Sequence, residues 1–286
     1  MVAACRAAVR AATPFVASPR GSLMTWSMSQ KRLKKRVYWS VVERRLMDRA
    51  AAIHCTSELE QEQLAAFELA APVFIVPNGI DVRPFNALPL RGTLRSELAI
   101  GLDTPLTLFV GRLHVMKRLE LTVEAFASVV SRCPEAHLAI VGPDDGARTS
   151  LERSVARMRL GERVHVLGLR SGQRLLEAYA DADLLVLLSH RENFGMVVAE
   201  AMAARLPVLL SSEVGLAAEV KRAEAGVVVG GDASPVAEAW SRLCLDAALR
   251  RSMGINGRRL VEQTMAAPVA AARMLRELAA RAVAGR

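Results

Sequence analysis

LTLFVGRLHVMKRLELTVEAFASVVSRCPEAHLAIV, residues 106–141, reads as one complete structural unit. The β-rich run 106–110 leads through a Gly111-Arg112 turn into a stretch with helical apolar spacing, which gives way to a second short apolar run at 137–141. A strand covered by helices on both faces loses the polar alternation of a half-exposed strand, so short continuous apolar runs are what a buried parallel sheet demands. The pattern recurs at VFIV (73–76), VHVLG (164–168), LLVLL (184–188), PVLL (207–210) and GVVV (226–229), mostly with a helical stretch after each run. This alternation predicts an α/β fold built on a doubly wound parallel sheet, whose ligands bind at the carboxyl ends of the strands.

Outward from that core, the turn signal PNGID (77–81) and the polar, proline-containing stretch to Pro89 mark a boundary. The expected organisation is a first domain over 1–79, a second over 80–266 and a C-terminal helix over 267–286. Upstream, 13–18 reads as a strand and 30–50 as a helix, and Ser57 followed by Glu60 forms a capping box that opens another helix. These elements are too few for a complete doubly wound domain, so the first domain is expected to be partial.

Composition bounds the class. The chain has 286 residues, of which 52% are hydrophobic and 4% aromatic, enough apolar content for a sizeable core. No run approaches the roughly 18 apolar residues of a spanning helix, and Arg6 and Arg10 interrupt what would be a signal's apolar region. A soluble, cytoplasmic protein is expected. The four cysteines, Cys5, Cys55, Cys133 and Cys244, show neither disulfide nor zinc spacing. The formal charge of +9 favours an anionic partner. It is densest in KRLKKR (31–36), followed by Arg44, Arg45 and Arg49. The segment 31–49 is either a solvated basic face or a helix resting on anionic lipid at the inner face of a membrane. Trp26, Tyr38 and Trp39 are read as packing residues, and nucleic acid is not an expected partner.

The most informative segment is SHRENFGMVVAEAMA (189–203). It leaves a strand, crosses a polar loop and enters a helix near Gly195, where unpaired amides suit a phosphate or a sugar's polar edge. Glu192 in the loop and Glu200 in the helix place two carboxylates for two different parts of a ligand. After 106–110, Arg112 and Lys117 could clamp a diphosphate and neutralise the charge that develops when a bond to phosphate breaks. Gly142, before Pro143 and Asp144, permits close backbone approach at a third strand end. Asp181-Ala-Asp183 mimics a metal-binding DxD but precedes a buried strand, and the five histidines show no ligand spacing, so no metal is assigned. A dinucleotide oxidoreductase would need a G-x-G-x-x-G that the chain does not contain.

These residues resemble the large glycosyltransferase family 4 (group 1) of the GT-B fold. The matching pieces are VPNGID (76–81), the Gly111-Arg112 to Lys117 spacing, AIVGPD (139–144), VLGL (166–169) and the Glu-x7-Glu segment from Glu192 to Glu200. Upstream, SPRGSLMTW (18–26), KRLKKRVYW (31–39) and AAIHCTSELE (51–60) resemble the second half of the acceptor domain in a bacterial polysaccharide-building branch. The resemblance implies a complete Rossmann-like donor domain preceded by a partial second one. It implies a retaining glycosyltransferase that moves a sugar from a nucleotide-diphospho-sugar to a glycan or lipid-linked acceptor, with no cofactor. Glu192, Arg112 and Lys117 would stand at the reaction centre. Gly111, Gly142, Pro143, Leu167, Asn193, Phe194, Gly195, Met196 and Val197 would surround the donor, with Glu200 on the ribose. The chain departs from the family in lacking the Gly-rich loop and first βαβ units of the acceptor domain, which makes a truncated, non-catalytic sugar-nucleotide-binding remnant that needs a partner the alternative. It departs also at Arg205 and Leu216, where the family carries glycines.

Overall fold

The computed structural model describes residues 2–22 and 39–284, so the basic run 31–36 with Trp26 and Tyr38 lies outside the described residues. The chain divides into two compact units: Met1–Gly79 together with Ala267–Arg286, and Ile80–Ala266.

In the smaller unit, α1 (Val2–Arg10) precedes β1 (Val16–Ala17). A π-helical turn, Trp39–Glu43, runs into the short α2 (Arg44–Met47), which is the described part of the helix expected over 30–50. There follow β2 (Ala52–Cys55), α3 (Glu58–Ala65) and β3 (Val73–Ile75). The strands form a parallel sheet in the order β1-β2-β3. Ala17, Trp39, Met47, Ile53, Cys55 and Leu64 form its core. Trp39 packs edge-on against Phe67 with ring centroids 4.8 Å apart, a packing role, while Arg44, Arg45 and Arg49 are exposed. The Ser57 hydroxyl caps α3 by accepting the Glu60 N–H at 3.2 Å, and the buried Glu60 carboxylate accepts from the Gly21 and Thr56 amides at 2.7 and 2.8 Å.

The larger unit is the doubly wound sheet. Its strands are β4 (Leu106–Val110), β5 (His137–Val141), β6 (Val164–Gly168), β7 (Leu184–Leu187), β8 (Val208–Ser211) and β9 (Gly226–Val229). All neighbours pair parallel, in the order β6-β5-β4-β7-β8-β9. Every residue of β4, β5, β7 and β8 is buried, which is the physical reason their sequences show continuous apolar runs. The connecting helices are α4 (Thr93–Glu97) ahead of β4, α5 (Leu119–Arg132), α6 (Arg148–Arg157), α7 (Gln173–Asp181), α8 (Met196–Ala203), α9 (Ala217–Arg222), α10 (Ala233–Leu245) and α11 (Ala247–Thr264). Helix α5 packs on α10, where Phe126 lies 5.2 Å from the fully buried Trp240 and the Trp240 indole N–H donates to Thr107 Oγ1 at 2.8 Å. Burying a side chain of this size stabilises the fold by about 2–3 kcal/mol. The last helix, α12 (Ala267–Ala284), belongs to the smaller unit, where Met274 packs against the cluster of Ala52, Phe74 and Val76 and the Arg281 guanidinium lies 4.3 Å from the Phe74 ring centroid.

The Asp181/Asp183 pair is consumed by the fold. Asp181, fully buried at the end of α7, accepts from the backbone N–H groups of Gly92, Leu94 and Arg95 and so caps α4. Asp183 accepts from Arg91, from the buried Arg95 and from the Leu106 amide, at 2.7–2.8 Å. Arg205 occupies a left-handed backbone at φ 62, a conformation that costs an L residue about 1 kcal/mol. Leu216, at φ −84, has an ordinary backbone and carries no such strain.

Candidate functional site

The strand order reverses between β4 and β7, and at such a switch point the loops leaving the two strands diverge. Only Thr107↔Leu184 and Leu108↔Leu185 pair across this seam, whereas β4 and β5 pair along their whole length. The seam therefore opens toward its carboxyl end, where the residues singled out from the sequence are found.

Backbone hydrogen bonds tie the loops together. The Gly111 N–H donates to Val141 O at 2.9 Å, Leu113 to Pro143 O at 2.8 Å, and Gly142 to Gly168 O at 2.8 Å, so the loops after β4, β5 and β6 form one mesh. Gly142 is required there, because a Cβ at that position would lie 1.8 Å from Gly111 O. Across the seam, the His190 N–H donates to Met116 O at 2.8 Å, fixing the loop after β7 to the turn after β4. The Glu192 N–H donates to Glu213 O at 3.0 Å, and Gly215 N–H to Glu192 O at 2.8 Å. Gly215 permits this approach, since a Cβ on it would meet Asn193 O at 2.1 Å.

On this frame Lys117 and Glu192 come from opposite lips and form an ion pair, Lys117 Nζ donating to Glu192 Oε2, with side chains 16% and 25% exposed. Lys117 stands in a 3₁₀ turn, Val115–Lys117, just ahead of α5. The turn is capped by His114, whose Nδ1 accepts the Met116 N–H at 3.2 Å. Arg118 at φ 51 then redirects the chain into α5 and donates to Gly231 O at 2.6 Å.

Arg112 projects from the same loop and is 69% exposed, with Nη1 donating to Asp145 Oδ2 at 2.6 Å. It thus shares an end of the sheet with Lys117 but pairs with a different loop. Pro143 is exposed beside it, and Leu167 is half-buried in β6. Asn193 and Val197 are half-buried, Phe194 and Gly195 buried, and Met196 is 39% exposed at the first position of α8. The N-terminus of α8 has no side-chain cap. Its first amides are the orphan donors that an anion or a sugar hydroxyl would satisfy.

Glu200 lies on α8, and its Oε2 accepts the Tyr179 hydroxyl at 2.7 Å. Burial raises the Glu200 pKa, partly offset by this hydrogen bond, and burial together with the Glu200 charge holds the Tyr179 hydroxyl protonated. The sequence reading missed Tyr179, Asp145 and Gly215. A buried tyrosine needs a partner for its hydroxyl, which is the one signal Tyr179 offered.

Comparison with known proteins gives a consistent picture. The family model described as glycosyl transferases group 1 matches residues 91–260, more than half of the chain, and a glycosyl transferase 4-like domain matches residues 1–79. A D-inositol 3-phosphate glycosyltransferase of Corynebacterium jeikeium is 31% identical over 225 residues, 75% of this chain and 54% of that protein. The enzyme of the same name from Actinosynnema mirum matches to the same extent. The chain therefore spans about half the length of these curated relatives. Among solved structures, sucrose-phosphate synthase from Thermosynechococcus elongatus superposes with a TM-score of 0.78 at 26% identity, over 96% of this chain and 69% of that one. Anabaena HepE, solved with UDP and glucose, superposes with a TM-score of 0.80 at 20% identity, over 97% and 74%. These neighbours are GT-B proteins, and the fold shared with them is the GT-B-like α/β fold that the sequence led us to expect.

Proposed function

Since the chain belongs to the group 1 glycosyl transferases, we propose that its larger unit binds a nucleotide-diphospho-sugar at the β4/β7 seam and supports retaining transfer of the sugar to a polysaccharide or glycolipid acceptor. The observation that carries this reading is the Lys117–Glu192 pair, a cation and a carboxylate held across the switch point beside the uncapped start of α8. In the proposed complex the diphosphate takes Lys117 and Arg112 as counterions, so that charge accumulating on the leaving phosphate is neutralised in a partly desolvated site. Glu192, released from Lys117, accepts hydrogen bonds from sugar hydroxyls, while the amides around Asn193, Phe194, Gly195, Met196 and Val197 hold sugar and phosphate. Glu200 accepts from the ribose, and Gly111, Gly142, Pro143 and Leu167 form the wall beside the base. Retention follows, in this proposal, from attack on the face the leaving phosphate vacates, with a phosphate oxygen taking the acceptor's proton.

The names of the curated relatives support transfer chemistry. The exposed Arg44, Arg45 and Arg49 support a further element of the proposal, peripheral contact of 31–49 with an anionic membrane that presents a lipid-linked acceptor. Among the described residues no helix is long and apolar enough to cross a membrane. The test is calorimetric titration of the chain with uridine, guanosine and adenosine diphospho-sugars, repeated for Lys117→Ala and Glu192→Ala. One donor should bind the parent chain, and each variant should weaken it by about tenfold or more. Equal binding by all three proteins would overturn the assignment.

A further inference from the structure

Tyr179 lies in the last turn of α7, a helix that contributes nothing else to the proposed site, yet it reaches one of the site's carboxylates. Its side chain is among the largest fully buried ones, with the ring held edge-on by Phe85 at 5.9 Å between centroids. Its hydroxyl is spent on Glu200 Oε2 at 2.7 Å, a charge-assisted hydrogen bond that joins α7 to α8. No hydrogen bond from a described residue reaches the other oxygen, Oε1, which is also not among the buried unpartnered atoms. One oxygen of Glu200 is therefore fixed from behind while the other keeps its accepting capacity.

We infer that Tyr179 is a positioning residue for nucleotide recognition: by holding Glu200 Oε2 it fixes the carboxylate so that Oε1 meets the ribose hydroxyls, which makes the site selective for ribonucleotides over deoxyribonucleotides. The inference rests on the proposed role of Glu200 and adds the residue that orients it. Without the Tyr179 hydroxyl the carboxylate is free to rotate, and part of each ribose hydrogen bond goes to re-ordering it. A phenylalanine at 179 keeps the volume and the Phe85 contact and removes only that restraint.

The experiment titrates the full chain by calorimetry with UDP, GDP and ADP and with their 2′,3′-dideoxy counterparts, in the parent protein, Tyr179→Phe and Glu200→Gln. For whichever base binds, the parent should prefer the ribose form, and Tyr179→Phe should reduce the preference by roughly tenfold, the equivalent of one such hydrogen bond. A merely structural role would lower affinity for both forms alike and leave their ratio unchanged, which would overturn the inference. A parent chain that binds none of the nucleotides, or that ignores the ribose hydroxyls, would instead overturn the proposed role of Glu200. A second readout needs no destabilising substitution. The chain has two tyrosines, so 3-fluorotyrosine incorporated in a Tyr38→Phe background reports from position 179 alone. Its fluorine resonance should move on adding the ribose form and not the dideoxy form; identical shifts with both would count against the inference.

Discussion

Replacing Gly142 by alanine tests how tightly the loop mesh sets the site. A Cβ at Gly142 would stand 1.8 Å from Gly111 O and 2.6 Å from Gly111 C, both backbone atoms that no side-chain rotation can move. A comfortable carbon–oxygen contact is about 3.3 Å, so the loops after β4 and β5 must part by about 1.5 Å. The backbone at Gly142, φ 153, is also one that L residues rarely adopt. Strain of about 1–2 kcal/mol and overpacking of about 1–3 kcal/mol give an expected loss of about 2–5 kcal/mol. Gly146, four residues along the same loop, is the control. It too has a positive φ, 89, but nothing lies within 4 Å of its Cβ position, so Gly146→Ala should lose only about 1–2 kcal/mol. Urea-dependent hydrogen exchange of the β4 and β5 amides reads the larger unit alone. Because the displaced loop carries Arg112 and Lys117, Gly142→Ala should also lower the proposed sugar transfer by about 100-fold while Gly146→Ala leaves it nearly intact. Equal stability loss in the two variants would show that the close approach of the loops does not constrain the fold.

Two further outcomes are expected. His137 accepts from Arg163 Nη1 at 2.9 Å through Nε2 and faces His165 Nε2 at 2.9 Å through Nδ1. Burial, then the His165 and Arg163 charges, lower its pKa from 6.5 to about 4. The fold excludes the cation, so this contribution is complete above pH 6.5 and is lost as pH falls toward 4. Between pH 7.5 and 5 the parent should therefore lose about 2 kcal/mol more than His137→Gln in urea unfolding, and parallel pH profiles would refute the coupling. Asp181→Ala leaves two buried backbone N–H groups and the half-buried Gly92 N–H without their acceptor and should cost about 3 kcal/mol by chemical denaturation, with affinity for the proposed donor unchanged; loss of affinity at constant stability would instead mark Asp181 as a ligand-binding group.

The sheet was legible because each buried strand is a continuous apolar run, and the loops of the candidate site could be placed at the strand ends because their residues follow those runs directly. Chain geometry decided the rest. That Lys117 precedes α5 in a separate turn depends on His114 capping and on Arg118 at φ 51, neither of which apolar periodicity records. Arg112 finds Asp145 because two loops cross at Gly142, 33 residues apart in sequence for the paired side chains. The Tyr179–Glu200 bond spans 21 residues and two helices, and only the burial of the tyrosine hinted that its hydroxyl needed an acceptor. Asp181 and Asp183 carried a motif-like spacing whose partners, Arg91 to Arg95, lie almost a hundred residues upstream.

The two lips of the seam hold opposite charges in contact, and this shapes what the proposed ligand must do. Lys117 and Glu192 satisfy each other in a partly buried setting, where an unpaired charge is costly. A neutral sugar would have to break the pair with nothing to offer Lys117, whereas a free phosphate would leave Glu192 unpaired against a like charge. A sugar joined to a diphosphate supplies both partners at once, the phosphate for Lys117 and hydroxyl donors for Glu192. Breaking the pair is thus compensated on both sides only when the two halves of the proposed ligand arrive linked, so in the proposed complex the Lys117–Glu192 contact discriminates in favour of the intact donor.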